Sequence, residues 1–284
     1  MGEHGLRAGW SALIFLAIVV PLGFTATLIP HSAYPGPSLV QESILLAAVF
    51  VATWVMAKIE KRSVWSYGFL DDRKWVRLAS GTAVGILLFS LLVAVLWANH
   101  LLLFDRVALS GWPAWKYAAL WGVVFLVVAF FEEGLLRGYL QFTLARGLNF
   151  WWAAVILSVI FGFMHLNNAG ESLPGALAAA VGGIVFCLSL KLTGSLWWIV
   201  GVHAGWDWAE GYFYGTGTSG EVEQGHLFES HPSGSPLWSG GDTGPEGSPY
   251  AILIFLLLGL GIWLMWGKKN RMVRGRRTPA AAQG

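Results

Sequence analysis

Charged side chains and cysteine are scarce in this sequence. Only 12% of its 284 residues are Asp, Glu, Lys or Arg, whereas soluble domains contain roughly 25%. Hydrophobic residues make up 56% of the chain. This composition excludes an ordinary water-soluble domain and predicts an integral membrane protein. The single cysteine, Cys187, rules out a disulfide within the chain.

Long apolar runs occupy most of the chain. Eight of them have about 20 residues, the length that a bilayer core requires. They cover residues 10–29, 39–57, 78–103, 115–144, 150–166, 173–192, 196–214 and 250–266. We therefore predict an all-α fold, a polytopic membrane helix bundle of about eight transmembrane helices. No repeat and no second domain is evident, so residues 1–284 are predicted to form a single membrane domain.

Lysine and arginine are unevenly distributed between the predicted loops. Residues 58–77 contain six of them and residues 268–277 another six, whereas the Gly/Ser/Pro-rich loop 215–249 contains five acidic residues and no Lys or Arg. Basic loops face the cytoplasm in membrane proteins. Both termini are therefore predicted to be cytoplasmic, with residues 267–284 as a basic cytoplasmic tail. Such a tail suits contact with anionic lipid, and no nucleic-acid partner is expected.

Ionisable residues inside a membrane are costly, by ~2.5–3.5 kcal/mol each on insertion scales. Three of the predicted spans nevertheless contain them, within a core region of residues 130–210. They are Glu132, Glu133 and Arg137 in the fourth span, His165 in the fifth, and His203 and Asp207 in the seventh. At 1.5 Å per helical residue, four of these groups on three helices lie roughly 12–22 Å from the cytoplasmic ends. We therefore expect them to face one another in the bundle interior.

Helical spacing separates the two adjacent glutamates. Glu133 and Arg137 are four residues apart in the favourable order for an ion pair on one helix face. Glu132 points about 100° away from Glu133. A carboxylate neutralised by arginine is a poor base. The spacing therefore predicts Glu132 as the working carboxylate and Glu133–Arg137 as a structural pair.

The two histidines also have helical partners. His203 and Asp207 are four residues apart and share a face, and the ring of Phe161 can pack beside His165. Taken singly, these groups also fit structural roles, such as a buried hydrogen-bonded histidine. Glu171 and Glu210 lie near the outer membrane boundary and are expected to be solvated.

This combination of side chains suits hydrolysis of an amide by an activated water. One carboxylate and one imidazole can deprotonate water, while a second imidazole and a short polar side chain stabilise the oxyanion. The same groups could instead bind a divalent metal such as zinc, and the ligands would then be Glu132, His165, His203 and Asp207. The HExxH pair of common metalloproteases and the GxSxG elbow of serine hydrolases are both absent.

Three motifs resemble those of a known family. Residues 132–137 (EEGLLR) resemble an EExxxR motif, residues 161–165 (FGFMH) an FxxxH motif, and residues 203–207 (HAGWD) an HxxxN/D motif. These motifs are typical of the CAAX protease and bacteriocin-processing family, also called CPBP or Abi intramembrane proteases, which includes the Ras-converting CAAX endopeptidase. Their order and their placement in the spans also match that family.

The resemblance implies an intramembrane endopeptidase that cuts a membrane-associated protein or peptide. Glu132 and His165 would activate the water, and His203 with Asp207 would form the oxyanion site, with no cofactor required. Family members are often labelled metalloproteases, so zinc remains the alternative. Asp207 stands where the prenyl-protein proteases typically have Asn. An ionised Asp cannot donate to an oxyanion, so it would be protonated or would orient a water or His203.

Two other functions remain open from the residues alone. One is a non-catalytic bacteriocin-immunity protein or a binding subunit of a membrane complex. The other is a proton-coupled transporter, which the lack of an evident inverted repeat makes the weaker choice. In each case the chain would be a multi-pass integral membrane protein, located in the plasma membrane if it is bacterial.

Overall fold

The computed structural model describes residues 7–29, 33–220 and 222–267. Ten α-helices in these residues are Ala8–Phe24 (α1), Pro35–Ile59 (α2), Lys74–Ala98 (α3), Gly111–Glu133 (α4), Gln141–Gly147 (α5), Phe150–His165 (α6), Leu173–Thr193 (α7), Trp197–Asp207 (α8), Pro236–Ser239 (α9) and Pro249–Ile262 (α10). Two strands, Leu102–Val107 (β1) and Phe228–Pro232 (β2), complete the regular structure together with short 3₁₀ and π-helical segments. The predicted basic tail, apart from Gly267, lies outside the described residues.

The predicted helical membrane bundle is confirmed in its main features. Each of the eight predicted spans overlaps at least one helix. Within the described part of the chain, six helical stretches are long and apolar enough to cross a membrane. They are Ala8–Leu28, Pro35–Ile59, Lys74–Ala98, Gly111–Gly147, Leu173–Thr193 and Pro249–Gly267. Helix α6 is shorter, and α8 has only 11 residues before a π-helical continuation. Eight crossings and two cytoplasmic termini stay predictions.

The end of the third predicted span and part of the predicted loop 215–249 lie in two strands that pair as a small sheet. The third span was predicted to reach residue 103, but α3 ends at Ala98 because the next residues turn, with His100 at φ +56°. Strand β1 then pairs antiparallel with β2, which lies inside the predicted loop 215–249, with Leu102 opposite Pro232 and Val107 opposite Phe228. The two strands supply each other's backbone hydrogen-bond partners. Because the strands are distant in sequence, no local sequence pattern predicts this pairing.

The fourth predicted span is interrupted rather than continuous. Helix α4 ends at Glu133, and a π-helical segment, Gly134–Leu140, connects it to α5. Within this segment Gly138 has non-helical torsion angles (φ −79°, ψ −116°). Such π-helical insertions occur frequently at functional sites. Here the insertion directly follows the two adjacent glutamates.

Helices α3 and α8 approach each other closely along two pairs of glycines. Gly81 and Gly85 of α3 lie against the backbone of α8, and Gly201 and Gly205 of α8 lie against the backbone of α3. A Cβ atom at any of these positions would overlap a carbonyl oxygen of the other helix. Small residues permit this kind of contact between membrane helices. The contact fixes the helix that carries His203.

Replacing one of these glycines should separate the two helices. We expect Gly205→Ala to lower the free energy of unfolding by about 1–3 kcal/mol, because overpacking at a tight contact displaces backbone. Gly261→Ala in α10 is the matched control, since a Cβ there meets no atom within 4 Å. Thermal unfolding in detergent measures both variants. Equal melting temperatures for the two would contradict the close contact.

The loops form two faces of opposite charge. The basic face comprises residues 58–77, 146–150 and 191–196, which contain eight Lys or Arg and three acidic residues. The acidic face comprises residues 99–110, 166–172, 215–220 and 222–248, which contain six acidic residues and one Arg. Hydrogen bonds join the segments of each face, such as Leu196 N–H to the Gly68 carbonyl and Asn168 Nδ2 to the Ser219 carbonyl.

Glu60 anchors the basic face through four donated hydrogen bonds. Arg146 donates to both carboxylate oxygens (2.9 and 2.8 Å), while the hydroxyls of Tyr139 and Tyr67 donate at 2.8 and 3.0 Å. Burial by itself raises the pKa of Glu60, but these donors outweigh burial and the pKa lies below its ordinary value of 4.5. The ionised form is therefore the one that the fold stabilises.

The lowered pKa of Glu60 predicts an acid-dependent loss of stability. The unfolded carboxyl binds its proton at higher pH than the folded one, so the stabilisation is complete above the unfolded pKa near 4.5 and is lost as the pH falls through the folded pKa. We expect the difference in unfolding free energy between wild type and Glu60→Gln to be constant near neutral pH and to shrink below about pH 4.5. A difference that grows on acidification would contradict this account.

Candidate active site

The adjacent glutamates at the end of α4 occupy different environments. Glu133 is fully buried, and its Oε1 accepts a hydrogen bond from Arg137 Nη1 at 3.1 Å. The predicted ion pair is therefore present. The Arg137 guanidinium also lies 4.4 Å from the centroid of the Phe161 ring. Glu132 keeps 24% of its side chain exposed.

His203 joins the two glutamates, which the sequence did not predict. Its Nδ1 lies 3.0 Å from Glu133 Oε1. A carboxylate paired with arginine only accepts, so Nδ1 carries a hydrogen and donates. On the other side of the ring, Nε2 lies 3.6 Å from Glu132 Oε2 and 3.5 Å from Asp207 Oδ2. Glu133 thus fixes the ring so that Nε2 points between two carboxylates.

The orientation of His165 follows from its contact with its own helix. It is the last residue of α6, and its Nδ1 lies 2.8 Å from the Phe161 carbonyl oxygen. A carbonyl can only accept, so Nδ1 carries the hydrogen and Nε2 of the neutral ring has a lone pair. The predicted packing of Phe161 beside His165 is present, with ring centroids 4.4 Å apart in an edge-to-face arrangement.

A cavity of about 400 Å³ brings the four predicted catalytic residues together. Glu132, His165, His203 and Asp207 all line it, although they come from three helices. A smaller cavity of about 150 Å³ between α4 and α6 also reaches Glu132 and His165. The helical depths predicted that these four groups share one layer of the membrane. In the structure they line one common cavity. Glu133 and Arg137 do not line either cavity.

Acidic side chains that sequence reasoning missed line the outer part of the same cavity. They include Glu42, Glu223 and Glu246. Glu246 accepts hydrogen bonds from Trp206 Nε1 at 2.7 Å and from Ser219 Oγ at 3.0 Å. Because these residues lie far from the motifs in sequence, no helical spacing could connect them to the site.

The prediction that Glu171 and Glu210 are solvated is wrong for Glu210. It is fully buried in the π-helical segment Trp208–Tyr214, which turns beneath the loop that follows it. Glu171 is half-buried. Burial raises the pKa of Glu171, although the Ser172 N–H donates to its carboxylate at 2.7 Å and opposes that shift.

The four candidate metal ligands do not form a metal-binding arrangement. Among the residues that the structure describes, no group of three or more His, Cys, Asp or Glu side chains is placed to hold a metal ion. As they are placed, these side chains therefore do not form a zinc site.

Comparison with known families agrees with the motifs. Residues 113–209 match the family described as type II CAAX prenyl endopeptidase Rce1-like. This segment is similar to the Rce1-like family. The Rce1-like segment extends from α4 to the π-helical turn after α8, so it contains every site residue that the sequence predicted, from Glu132 to Asp207. The resemblance to the CAAX proteases is thereby confirmed. No curated protein and no solved structure matches the chain.

Proposed function

We propose that this chain is an intramembrane endopeptidase that hydrolyses a peptide bond of a membrane-associated protein or peptide. The Rce1-like match supports a CAAX-type protease in general. One observation carries the assignment of roles. Glu132 and His165 both line the cavity, whereas Glu133 is enclosed between Arg137 and His203. Only one of the two adjacent glutamates can therefore reach a substrate.

The proposed reaction begins with a water held between Glu132 and His165 Nε2. Glu132 accepts a proton from this water as its oxygen attacks the carbonyl carbon of the substrate. His165 accepts the second hydrogen bond of the water and orients its lone pair. When the tetrahedral intermediate collapses, the carbon–nitrogen bond breaks and Glu132 returns the proton to the leaving amine. Neither step needs a covalent intermediate with the enzyme.

His203 is the proposed oxyanion donor. In its imidazolium form it donates from Nδ1 to Glu133 and from Nε2 to the developing oxyanion. Asp207, whose Oδ2 lies 3.5 Å from Nε2, holds the ring and balances its charge. This role does not require Asp207 to be a donor, so it accommodates Asp where the prenyl-protein proteases typically have Asn.

The mechanism requires no metal, and metal removal tests this directly. We expect cleavage to survive treatment with a strong chelator, because Glu132 and His165 supply the base and the orientation. A zinc protease in the same vesicles serves as the control and should lose its activity. Loss of cleavage that added zinc restores would contradict the metal-free mechanism and would favour the metalloprotease alternative.

The activity itself can be tested with the purified chain in proteoliposomes. Wild type should convert a library of apolar and amphipathic peptides into products whose new termini mass spectrometry identifies. Binding of peptides without any product would favour the immunity or complex-binding alternative. Proton movement across the vesicle membrane without cleavage would favour a transporter. The six apolar helices indicate a membrane location, and we propose the plasma membrane if the cell is bacterial.

A further inference from the structure

We propose that a second cavity, separate from the catalytic one, binds one acyl chain of an anionic phospholipid and holds its headgroup at the basic face. This inference goes beyond the proposed function and does not depend on it, because the lipid is a bound ligand and not the peptide that is cut. It combines the apolar lining of the cavity with two cations that lie over its rings.

The apolar cavity, as we call it, has a volume of about 400 Å³ and shares no lining residue with the catalytic cavity. Its walls come from α2, from residues 64–69 of the basic face, from the junction of α4 with the π-helical segment, and from the start of α8. Sites for small ligands have volumes of about 300–1,000 Å³. The apolar cavity can therefore hold a hydrocarbon chain that does not contact the catalytic residues.

The lining of the apolar cavity contains no charged side chain. Three of its aromatic residues have polar atoms that are already bonded within the protein. The hydroxyls of Tyr67 and Tyr139 donate to Glu60, and Trp197 Nε1 donates to the Phe69 carbonyl at 3.0 Å. These polar atoms are therefore not free for a ligand, and the rings offer apolar surface. An occupant gains mainly by burying hydrocarbon against it.

One side of the apolar cavity is open along α2. Ser43, Ala47 and Phe50 line the cavity and are exposed, and so is Trp65 on the basic face. The three α2 residues recur at intervals of four and three positions, so they lie on one face of the helix. Because α2 is long and apolar enough to cross a membrane, this face borders the hydrocarbon of the bilayer. An acyl chain can therefore enter from the side.

Two cations lie over rings that line the apolar cavity. Lys74 Nζ is 5.8 Å from the centroid of the Trp197 ring, and the Arg62 guanidinium is 6.0 Å from the centroid of the Tyr67 ring. Both cations belong to the basic face. Basic pockets between membrane helices bind the headgroups of anionic lipids. The cations therefore favour a headgroup with net negative charge over a zwitterionic one.

The two partly buried carboxylates of the same segment are paired with other arginines. Glu60 forms its salt bridge with Arg146, and Asp71 forms one with Arg77 at 2.7 Å. Within the part of the chain that the structure describes, no salt bridge involves either of the two cations over the cavity rings. Their charge is therefore available to an anionic headgroup.

The lipid retained by the purified protein tests the inference directly. Wild type is exchanged into detergent micelles that contain equal amounts of phosphatidylglycerol and phosphatidylcholine with identical acyl chains, and native mass spectrometry counts the bound lipid. We expect one retained lipid, with phosphatidylglycerol preferred by on the order of tenfold or more, since each Lys or Arg near an anionic headgroup contributes about fivefold. Equal retention of the two lipids, or retention of neither, would overturn the inference.

Filling the apolar cavity should remove the lipid. We expect Ala47→Trp to lower the retained phosphatidylglycerol by on the order of tenfold, because the indole occupies the space of the acyl chain. Ser43→Trp is a second variant in case the first does not fold. Ala83→Trp is the matched control, because Ala83 is an exposed alanine of α3 that does not line the cavity. Wild-type retention in both cavity variants would overturn the inference.

Neutralising the cations should change the choice of headgroup and leave the cavity intact. Lys74→Gln and Arg62→Gln should each lower the preference for phosphatidylglycerol about fivefold. Lys58→Gln is the matched control, because Lys58 lies 5.7 Å from the centroid of the Trp54 ring, which does not line the cavity. A preference that neither variant changes, or that the control lowers equally, would overturn the inference.

Other occupants of the apolar cavity would give different results. A neutral lipid would be lost from Ala47→Trp but would be retained by wild type as well as phosphatidylglycerol is. A fatty-acylated peptide would displace phosphatidylglycerol from wild type when the two are supplied in equal amounts. Either result would overturn the inference. Peptide cleavage is not part of any readout, so failure of the protease activity would leave the lipid site standing.

Discussion

Glu132→Gln should lower kcat by on the order of 10²–10⁴-fold while leaving the protein folded. Glutamine keeps the shape of the side chain but cannot accept the proton of the attacking water. Because 24% of the Glu132 side chain is exposed, the substitution does not strand a buried charge. The measurement is the rate of peptide cleavage in proteoliposomes, together with the melting temperature.

A second carboxylate supplies the control for this result. Glu171→Gln changes a half-buried glutamate in the loop between α6 and α7, outside the cavity lining. It should leave the cleavage rate unchanged. A Glu132→Gln variant that cuts as fast as wild type would remove Glu132 from the chemistry.

Arg137→Met should cost about 3–5 kcal/mol of unfolding free energy, because it leaves Glu133 as a buried charge without its partner. The substitution also removes the guanidinium from the face of the Phe161 ring, 4.4 Å away. Glu133 would lose the hydrogen bond from Arg137 Nη1, and the ring of His203 would be held less firmly. Both stability in detergent and the cleavage rate should therefore fall.

A double-mutant cycle identifies the buried pair as the cause. Glu133→Gln alone should also destabilise, because Arg137 is then the unpaired charge. The combination of Glu133→Gln with Arg137→Met should be more stable than the sum of the single effects, since no charge remains buried alone. Strict additivity would show that the two side chains are not energetically coupled.

Contacts within one helix were predictable from the sequence, and contacts between helices were not. The spacing of four residues correctly indicated that Glu133 meets Arg137 and that Phe161 packs beside His165. The contact of His203 with Glu133 joins residues 70 positions apart. The hydrophobic pattern carries no information on how α4 and α8 are rotated against each other, so this contact emerges only from packing.

The limits of the span prediction have a similar origin. An apolar run indicates that its side chains avoid water, but it does not indicate whether they face lipid or other helices. In an apolar 18-residue window of Leu173–Thr193, 56% is buried inside the bundle, against 28% of the corresponding window of Ala8–Leu28. Glu210 likewise lies in a run that ends near a loop, where burial depends on the segment that folds over it. Strand β1 owes its conformation to a partner more than 100 residues away.

The most direct test of the account is a cleavage-rate cycle of Glu132→Gln, His165→Ala and the double variant. If both side chains act on one water, each single substitution disables the same step. The double variant should then lose little more kcat/KM than the more damaging single one. Losses that multiply, or a His165→Ala variant with the wild-type rate, would contradict the proposal that Glu132 and His165 jointly activate the water.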